Sequence, residues 1–345
     1  MTAPTPGAEL MRIEDVRVHF PVGRSFLGRP TRMLKAVDGV SLSIRAGETL
    51  SVVGESGSGK TTLGQSLVRI VEPTAGRILY RPGGPDEVDI TRLGPAALRP
   101  LRHDIRMIFQ DPYASLNPRR RVIDIIGESI RNSGVRDESE VEQRVAYLLR
   151  RVGLRPEYVR RYPYAFSGGE RQRIGIARAL AVHPRLVIAD ECVSALDVSI
   201  RAQTLNLLQD LQDELGLTYL FISHDLSVVE YISDRVAVMY AGRVVELAET
   251  EDLFARPRHP YTAALLAAVP RPDPRSARKA DAMLLKGEVA DPAARPSGCA
   301  FHPRCPFATD QCRQVDPPTR TVGAHDVACH HAETLVLKGA YADAA

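Results

Sequence analysis

Residues 54–61 read Gly54-Glu55-Ser56-Gly57-Ser58-Gly59-Lys60-Thr61, and Thr62 follows. Three glycines in six residues let a backbone wrap tightly enough for successive N–H groups to converge. An ammonium and a hydroxyl come directly after. Such a set suits a polyphosphate. Backbone N–H groups and a helix N-terminus hold the phosphate oxygens, Lys60 pairs with the terminal charge, and Thr61 offers its hydroxyl to Mg²⁺. The motif requires a buried strand before it and a helix after it. Residues 49–53 read as that strand and residues 60–70 as that helix.

A second chemical signal is the run Leu186-Val-Ile-Ala-Asp190-Glu191, an apolar strand ending in two carboxylates. Asp190 at the strand tip is placed to hold Mg²⁺. Glu191, one residue on, is placed to polarise an attacking water as general base.

Several elements must position these groups. Ile13, Val16, Val18 and Phe20, then Val40, Leu42 and Ile44, read as short strands joined by turns. Residues 105–109, 186–189, 218–222 and 236–239 are short apolar runs of the kind found in a parallel sheet covered on both faces. Helical stretches such as 199–215 lie between them, which argues an α/β core. Between 111 and 180 the character changes. Val141, Val145, Leu148, Leu149 and Val152 recur at helical spacing, so this stretch reads as a helical insert. Past Pro257 the chain becomes rich in Pro and Cys and reads as a separate appendage.

The 345 residues are 44% hydrophobic and 25% charged, with 25 Gly and 25 Pro, which excludes collagen, coiled coil and wholesale disorder. A net charge of +3 gives no electrostatic reason to expect nucleic acid. No apolar run approaches the roughly 18–20 residues of a membrane helix. The N-terminus lacks the charged-then-apolar order of a signal peptide. A cytosolic chain is therefore expected, with its five Cys reduced.

Phe166-Ser167-Gly168-Gly169-Glu170-Arg171-Gln172-Arg173 resembles the signature motif of ABC-type ATPases. Gln110, after a strand, resembles the family's Q-loop glutamine, Ser194-Ala-Leu-Asp197 its D-loop, and His224 its switch histidine. The resemblance covers residues 11–255 and implies a P-loop ATPase domain with a helical subdomain near 111–180. It further implies ATP bound by residues 54–62, Gln110 and Asp190, and Mg²⁺ held by Thr61, Gln110 and Asp190. Glu191 and His224 would be catalytic. Ser167, Gly168 and Gly169 would close on the ATP of a second ATPase chain, because a helix N-terminus there makes another anion site. Two departures stand out: Glu170 replaces the usual Gln, and Cys192 replaces the Pro after the catalytic acid. Phe20 and Phe26 are the candidates for stacking on adenine.

Phe109-Gln-Asp-Pro-Tyr-Ala-Ser-Leu-Asn-Pro118, Ser194-Ala-Leu-Asp-Val-Ser-Ile200 and His259-Pro-Tyr-Thr-Ala-Ala-Leu-Leu266 resemble the ATPase subunits of oligopeptide and dipeptide importers. The form of the first stretch resembles the second, F-type ATPase of the pair. Implied partners are a second ATPase subunit, two permease subunits and an extracytoplasmic solute-binding protein, with this chain peripheral on the cytoplasmic face of the cell membrane. Tyr113, Leu116 and Pro118 are expected to form the groove for a permease helix. The competing reading is a soluble ABC ATPase acting on nucleic acid or ribosomes, with a zinc-binding tail.

Cys299, Cys305, Cys312 and Cys329, spaced C-x5-C-x6-C-x16-C, lie within a C-terminal domain expected at 256–335. A Pro-rich segment with so little core of its own needs a staple, and a metal would supply folding energy. Four thiolates suit Zn²⁺ or a [4Fe–4S] cluster. The family resemblance favours the cluster.

Overall fold

Two sheets organise the computed structural model, which describes residues 7–24, 30–83, 86–269, 290–291 and 293–341. The larger has eight strands. Their order is Arg320–Val322, His325–Val327, Arg243–Glu249, Arg235–Tyr240, Thr49–Val53, Thr218–Ser223, Leu186–Asp190 and Ile105–Ile108. The last five pair in parallel. The strands Thr49–Val53, Leu186–Asp190, Thr218–Ser223 and Arg235–Tyr240 are buried at every residue. That explains why they read as unbroken apolar runs instead of alternating ones. The carboxyl ends of the three central strands carry the phosphate loop, Asp190-Glu191 and His224, the usual place for a ligand in an open α/β sheet.

The smaller sheet is antiparallel, in the order Pro30–Arg45, Glu9–Arg24, Ala75–Tyr80 and Val88–Asp89. Where the sequence suggests several short strands, the chain forms two of 16 residues each. Register shifts along the pair let these long strands bend without ending. Val16, Val18, Val37, Val40 and Ile44 pack with Leu50, Val52, Leu63 and Leu67 in a core shared by both sheets. The helix after the phosphate loop spans Lys60–Leu67, three residues shorter than its sequence pattern. Arg69 takes a left-handed backbone (φ +53°), which ends the helix.

The helical insert is present as Val122–Asn132, Glu138–Arg151 and Gly168–Leu180, preceded by the short helix Pro112–Ser115. Val141, Val145, Leu148, Leu149 and Val152 all point into one core with Ile126 and Ile174. The 3.6-residue period is thus the imprint of a single buried face.

The C-terminal segment is not a separate appendage. Its strand His325–Val327 pairs with Arg243–Glu249 and extends the main sheet. Ala300 and Phe301 share a core with Val53, Val229, Tyr240, Phe254 and Tyr261. A Pro- and Cys-rich segment with little apolar sequence folds here by borrowing the core of its neighbour. Glu246 fastens the joint. Fully buried, it accepts hydrogen bonds from Arg258 N–H (2.7 Å), His259 N–H (3.0 Å) and His325 Nδ1 (2.8 Å). Glu246→Ala strands three buried donors, so it should cost about 3 kcal/mol or more. Thermal unfolding of wild type and variant measures this directly, and limited proteolysis should show residues 293–341 cut first.

Candidate active site

The phosphate loop forms because its glycines meet backbone where no side chain fits. A Cβ on Gly54 would lie 2.2 Å from Met239 O, and one on Gly59 2.0 Å from Ala36 O. Both residues also have positive φ, +147° and +101°. Lys60 is 5% exposed and folds over the loop, donating to Gly54 O (2.8 Å) and Glu55 O (2.9 Å). Burial lowers its pKa, against the pull of Glu191, Asp190 and Glu55.

Asp190 is 2% exposed and accepts a hydrogen bond from Thr61 Oγ1 at 3.0 Å. Burial raises its pKa to about 6, helped by the Glu191 charge and opposed by the Thr61 bond and by Lys60. Glu191 is gripped on both carboxylate oxygens. Gln110 Nε2 donates to Oε2 (2.6 Å), and His224 Nδ1 lies 3.1 Å from Oε1. Its backbone is fixed as well. Glu191 N–H donates to Ile222 O (2.9 Å), and Ser194 Oγ donates to Glu191 O (2.9 Å). Glu191 holds φ +45°, a strained value for a non-glycine residue and one often found at functional positions.

One cleft of about 660 Å³ brings together Gly54, Glu55, Ser56, Gly57, Gly59, Lys60, Thr61, Thr62, Gln110, Glu191 and His224. Ser58 and Asp190 are buried; Ser58 Oγ sits 3.4 Å from Lys60 Nζ and Asp190 reaches the cleft through Thr61. The apolar side of the cleft comes from Leu34, Ala36, Leu226 and Leu265, which the sequence reading missed. Phe20 is not there. It packs against the core between the sheets. Phe26 lies outside the described residues.

Ser167, Gly168 and Gly169 do not line this cleft. They open the helix Gly168–Leu180, with Ser167 exposed as N-cap. Glu170 closes a capping box. Its carboxylate accepts from Ser167 N–H and Oγ–H (both 2.9 Å), while its own N–H donates to Ser167 Oγ at 3.3 Å. The departure from Gln is thus absorbed locally, as a carboxylate placed at a helix N-terminus. Asp197 caps the following helix by accepting from Ile200 N–H. Cys192 is buried and its thiol is pushed up to about 12 by burial, consistent with a filler and not a nucleophile.

Leu116 is 2% exposed and belongs to the core, so it does not line a groove. A separate cleft of about 530 Å³ lies beside Gln110, between the main sheet and the helical part. It is lined by Ile70, Phe109, Ser115, Asn117, Arg120 and Glu128, among others. Tyr113, 62% exposed, instead lies under the Arg171 guanidinium at 4.1 Å.

The four C-terminal thiols are free cysteines packed in the C-terminal segment. Among the described residues no group of three or more His, Cys, Asp or Glu side chains is placed to hold a metal ion. Cys312 Sγ instead meets Thr309 Oγ1 (3.4 Å) and His331 Nε2 (3.5 Å), and His331 N–H donates to Cys329 Sγ (3.4 Å). Burial pushes the thiols of Cys305 and Cys329 up to about 12 and about 11, and that of Cys299 up as well. Sheet pairing and the shared core around Phe301 hold this segment.

A phosphate loop on the central strand, paired carboxylates on the next strand but one, and a capped signature helix in a helical insert define a P-loop ATPase of the ATP-binding-cassette class. Residues 37–194 match the ABC transporter family, and residues 245–312 match the family described as oligopeptide/dipeptide transporter, C-terminal region. A probable peptide ABC transporter ATP-binding protein of Sinorhizobium fredii is 51% identical over 93% of this chain and 89% of its own length. The oligopeptide transport ATP-binding protein AppF of Bacillus subtilis is 49% identical, over 93% and 97%. OppF of Escherichia coli is 46% identical, over 97% and 100%. Among solved structures, the dimeric ATP-binding cassette MJ0796 in a post-hydrolysis state with ADP and Pi is similar (27% identity, TM-score 0.62), over 70% of this chain and 99% of that one. The chain belongs to the family of peptide ABC transporter ATP-binding subunits.

Asp190 makes the stability of the protein sensitive to pH. Its folded pKa stands above the unfolded value, so the stability it contributes is present below about pH 4 and is lost as pH rises to about 6. Asp190→Asn keeps the oxygen that accepts from Thr61 but carries no charge. In nucleotide-free protein it should raise stability by about 2 kcal/mol at pH 8 and by little at pH 4. Thermal unfolding at the two pH values checks the difference.

Proposed function

We propose that this chain is the ATP-hydrolysing subunit of a peptide importer. The observation that carries this reading is the single cleft in which Lys60, Thr61, Gln110, Glu191 and His224 meet over the phosphate loop. In this reading the loop N–H groups and Lys60 bind the phosphates of ATP. Thr61, Asp190 and Gln110 supply a hydroxyl, a carboxylate and a carboxamide oxygen, hard ligands suited to Mg²⁺. When bound, that ion neutralises charge on the β- and γ-phosphates. Gln110, which now donates to Glu191, would serve as a ligand of that ion, and His224, which now lies beside Glu191, would hold the γ-phosphate. Glu191 is then free to accept a proton from the attacking water.

Ser167–Gly169 sit outside the cleft of their own chain, which supports a site completed by a second ATPase subunit. Hydrolysis at that shared interface would open it and turn chemical energy into motion. The cleft beside Gln110, with Phe109 and Ile70 exposed, suits a short helix of a permease subunit. Among the described residues no helix is long and apolar enough to cross a membrane. The permease pair would therefore be separate chains, with this one peripheral on the cytoplasmic face and a solute-binding protein on the other. The alternative of an ATPase acting on nucleic acid is not supported, because the relatives that match over nine-tenths of the chain are transporter subunits.

Lys60→Ala should abolish ATP binding. Glu191→Gln should bind ATP with near-wild-type affinity yet lower turnover by a factor of about 100 or more, because Lys60 meets ground-state charge and Glu191 acts only on the water. Equilibrium ATP binding and phosphate release by the assembled transporter separate the two. Wild-type turnover by Glu191→Gln would overturn the base assignment.

The division near residue 255 and a metal in the C-terminal segment are the finer parts of the proposal. The metal reading is supported by the shortage of local core and by the thiols of Cys299, Cys305 and Cys329, which are pushed up first by burial and then by neighbouring cysteines. Anaerobically purified protein should then carry iron and sulfide at about four each per chain, or one zinc. Metal-free protein with a protease-resistant C-terminal segment would leave the cysteines as packing residues.

A further inference from the structure

The phosphate loop is held from outside by the C-terminal segment. Arg304 ends the short turn His302–Arg304, and its side chain is 5% exposed. Its two terminal nitrogens donate to the two carboxylate oxygens of Glu55, at 2.7 and 3.0 Å. This is a two-pronged pairing across 249 residues of sequence, of the strong and directional kind. Glu55 N–H donates to the hydroxyl of Tyr261 at 2.9 Å. Glu55 O accepts from Lys60 Nζ. Ser58 N–H also donates to Glu55 O, so every polar group of Glu55 is engaged, and two of its four partners come from beyond residue 255. Tyr261 is itself set in a packed aromatic cluster. Tyr261 packs on Tyr240 at 4.7 Å and on Phe301 at 5.4 Å, and all three rings are buried.

We propose that Arg304 and Tyr261 are positioning residues for nucleotide binding, and that the C-terminal segment docks on the phosphate loop to hold it ready for phosphates. The proposal rests on residues 54–61 being the ATP cradle. Two physical effects carry it. A loop with glycines at 54, 57 and 59 has many conformations to lose, and fixing Glu55 removes part of that loss before the ligand arrives. Glu55 also lines the cleft, where a bare carboxylate would repel phosphate. The Arg304 guanidinium neutralises that charge. Neither residue touches the reacting atoms, so the effect falls on affinity and not on the chemical step.

The test uses the assembled transporter, with ATP as the varied ligand. Arg304→Ala should raise the ATP Kd and KM about tenfold and change kcat less than about twofold. Arg304→Lys keeps the charge but not the two-pronged geometry, so it should lose less, about threefold. The exchange Glu55→Arg with Arg304→Glu should regain most of the affinity. In a Glu55→Ala background, Arg304→Ala should have little further effect, because the two losses overlap. Tyr261→Phe keeps the packed ring and removes only the hydroxyl. It decides the matter should Arg304→Ala fail to fold, and a rise of about threefold in ATP KM is expected. Unchanged KM in both Arg304→Lys and Tyr261→Phe, or additive losses in the double variant, would overturn the proposal. Wild-type protein that binds no ATP would instead overturn the functional reading beneath it.

Discussion

Everything at the site depends on a loop squeezed between two sheets. Gly54 presses on Met239 O, in the parallel sheet, and Gly59 on Ala36 O, in the antiparallel one. A single β-carbon at either point would force a gap. The contact therefore ties the two sheets to each other through the loop, and Leu63 and Leu67 of the next helix fill the core that both sheets share. The N–H groups that hold phosphate thus have their direction fixed by the whole core.

The charges follow from that placement. Lys60 and Asp190 are brought with Glu191 into a partly desolvated corner, where burial and the neighbouring charges shift the ionisation of Lys60 and of Asp190. Burial lowers the pKa of the ammonium and raises that of Asp190, so both charges are held there at an electrostatic cost. Glu191 illustrates the same economy in its backbone. Its left-handed conformation is held by Ile222 O on one side and Ser194 Oγ on the other. The residues after the carboxylates thus serve as the frame for the acid.

The C-terminal segment changes the picture of where the ATPase core ends. Strands His325–Val327 and Arg320–Val322 extend the sheet, Glu246 fastens the joint with three hydrogen bonds, and Arg304 reaches the phosphate loop. Segment and cradle are parts of one packed body.

The sequence by itself determined the chemistry-bearing motifs and the order of strands and helices around them. It could do so because a phosphate loop, a strand tipped with carboxylates and a capped helix N-terminus are local devices, each complete within about ten residues. The buried face of Glu138–Arg151 was legible for the same reason, since one helix repeats its own period. Only the tertiary structure decided which residues meet across long separations. Leu34 and Leu265 line the cleft where an aromatic was expected. Leu116 turns into the core. Tyr261 and Arg304 grip Glu55. The cysteines rest on a borrowed core. Each of these depends on which strand lies next to which, and pairing between distant strands leaves no periodic trace in either partner.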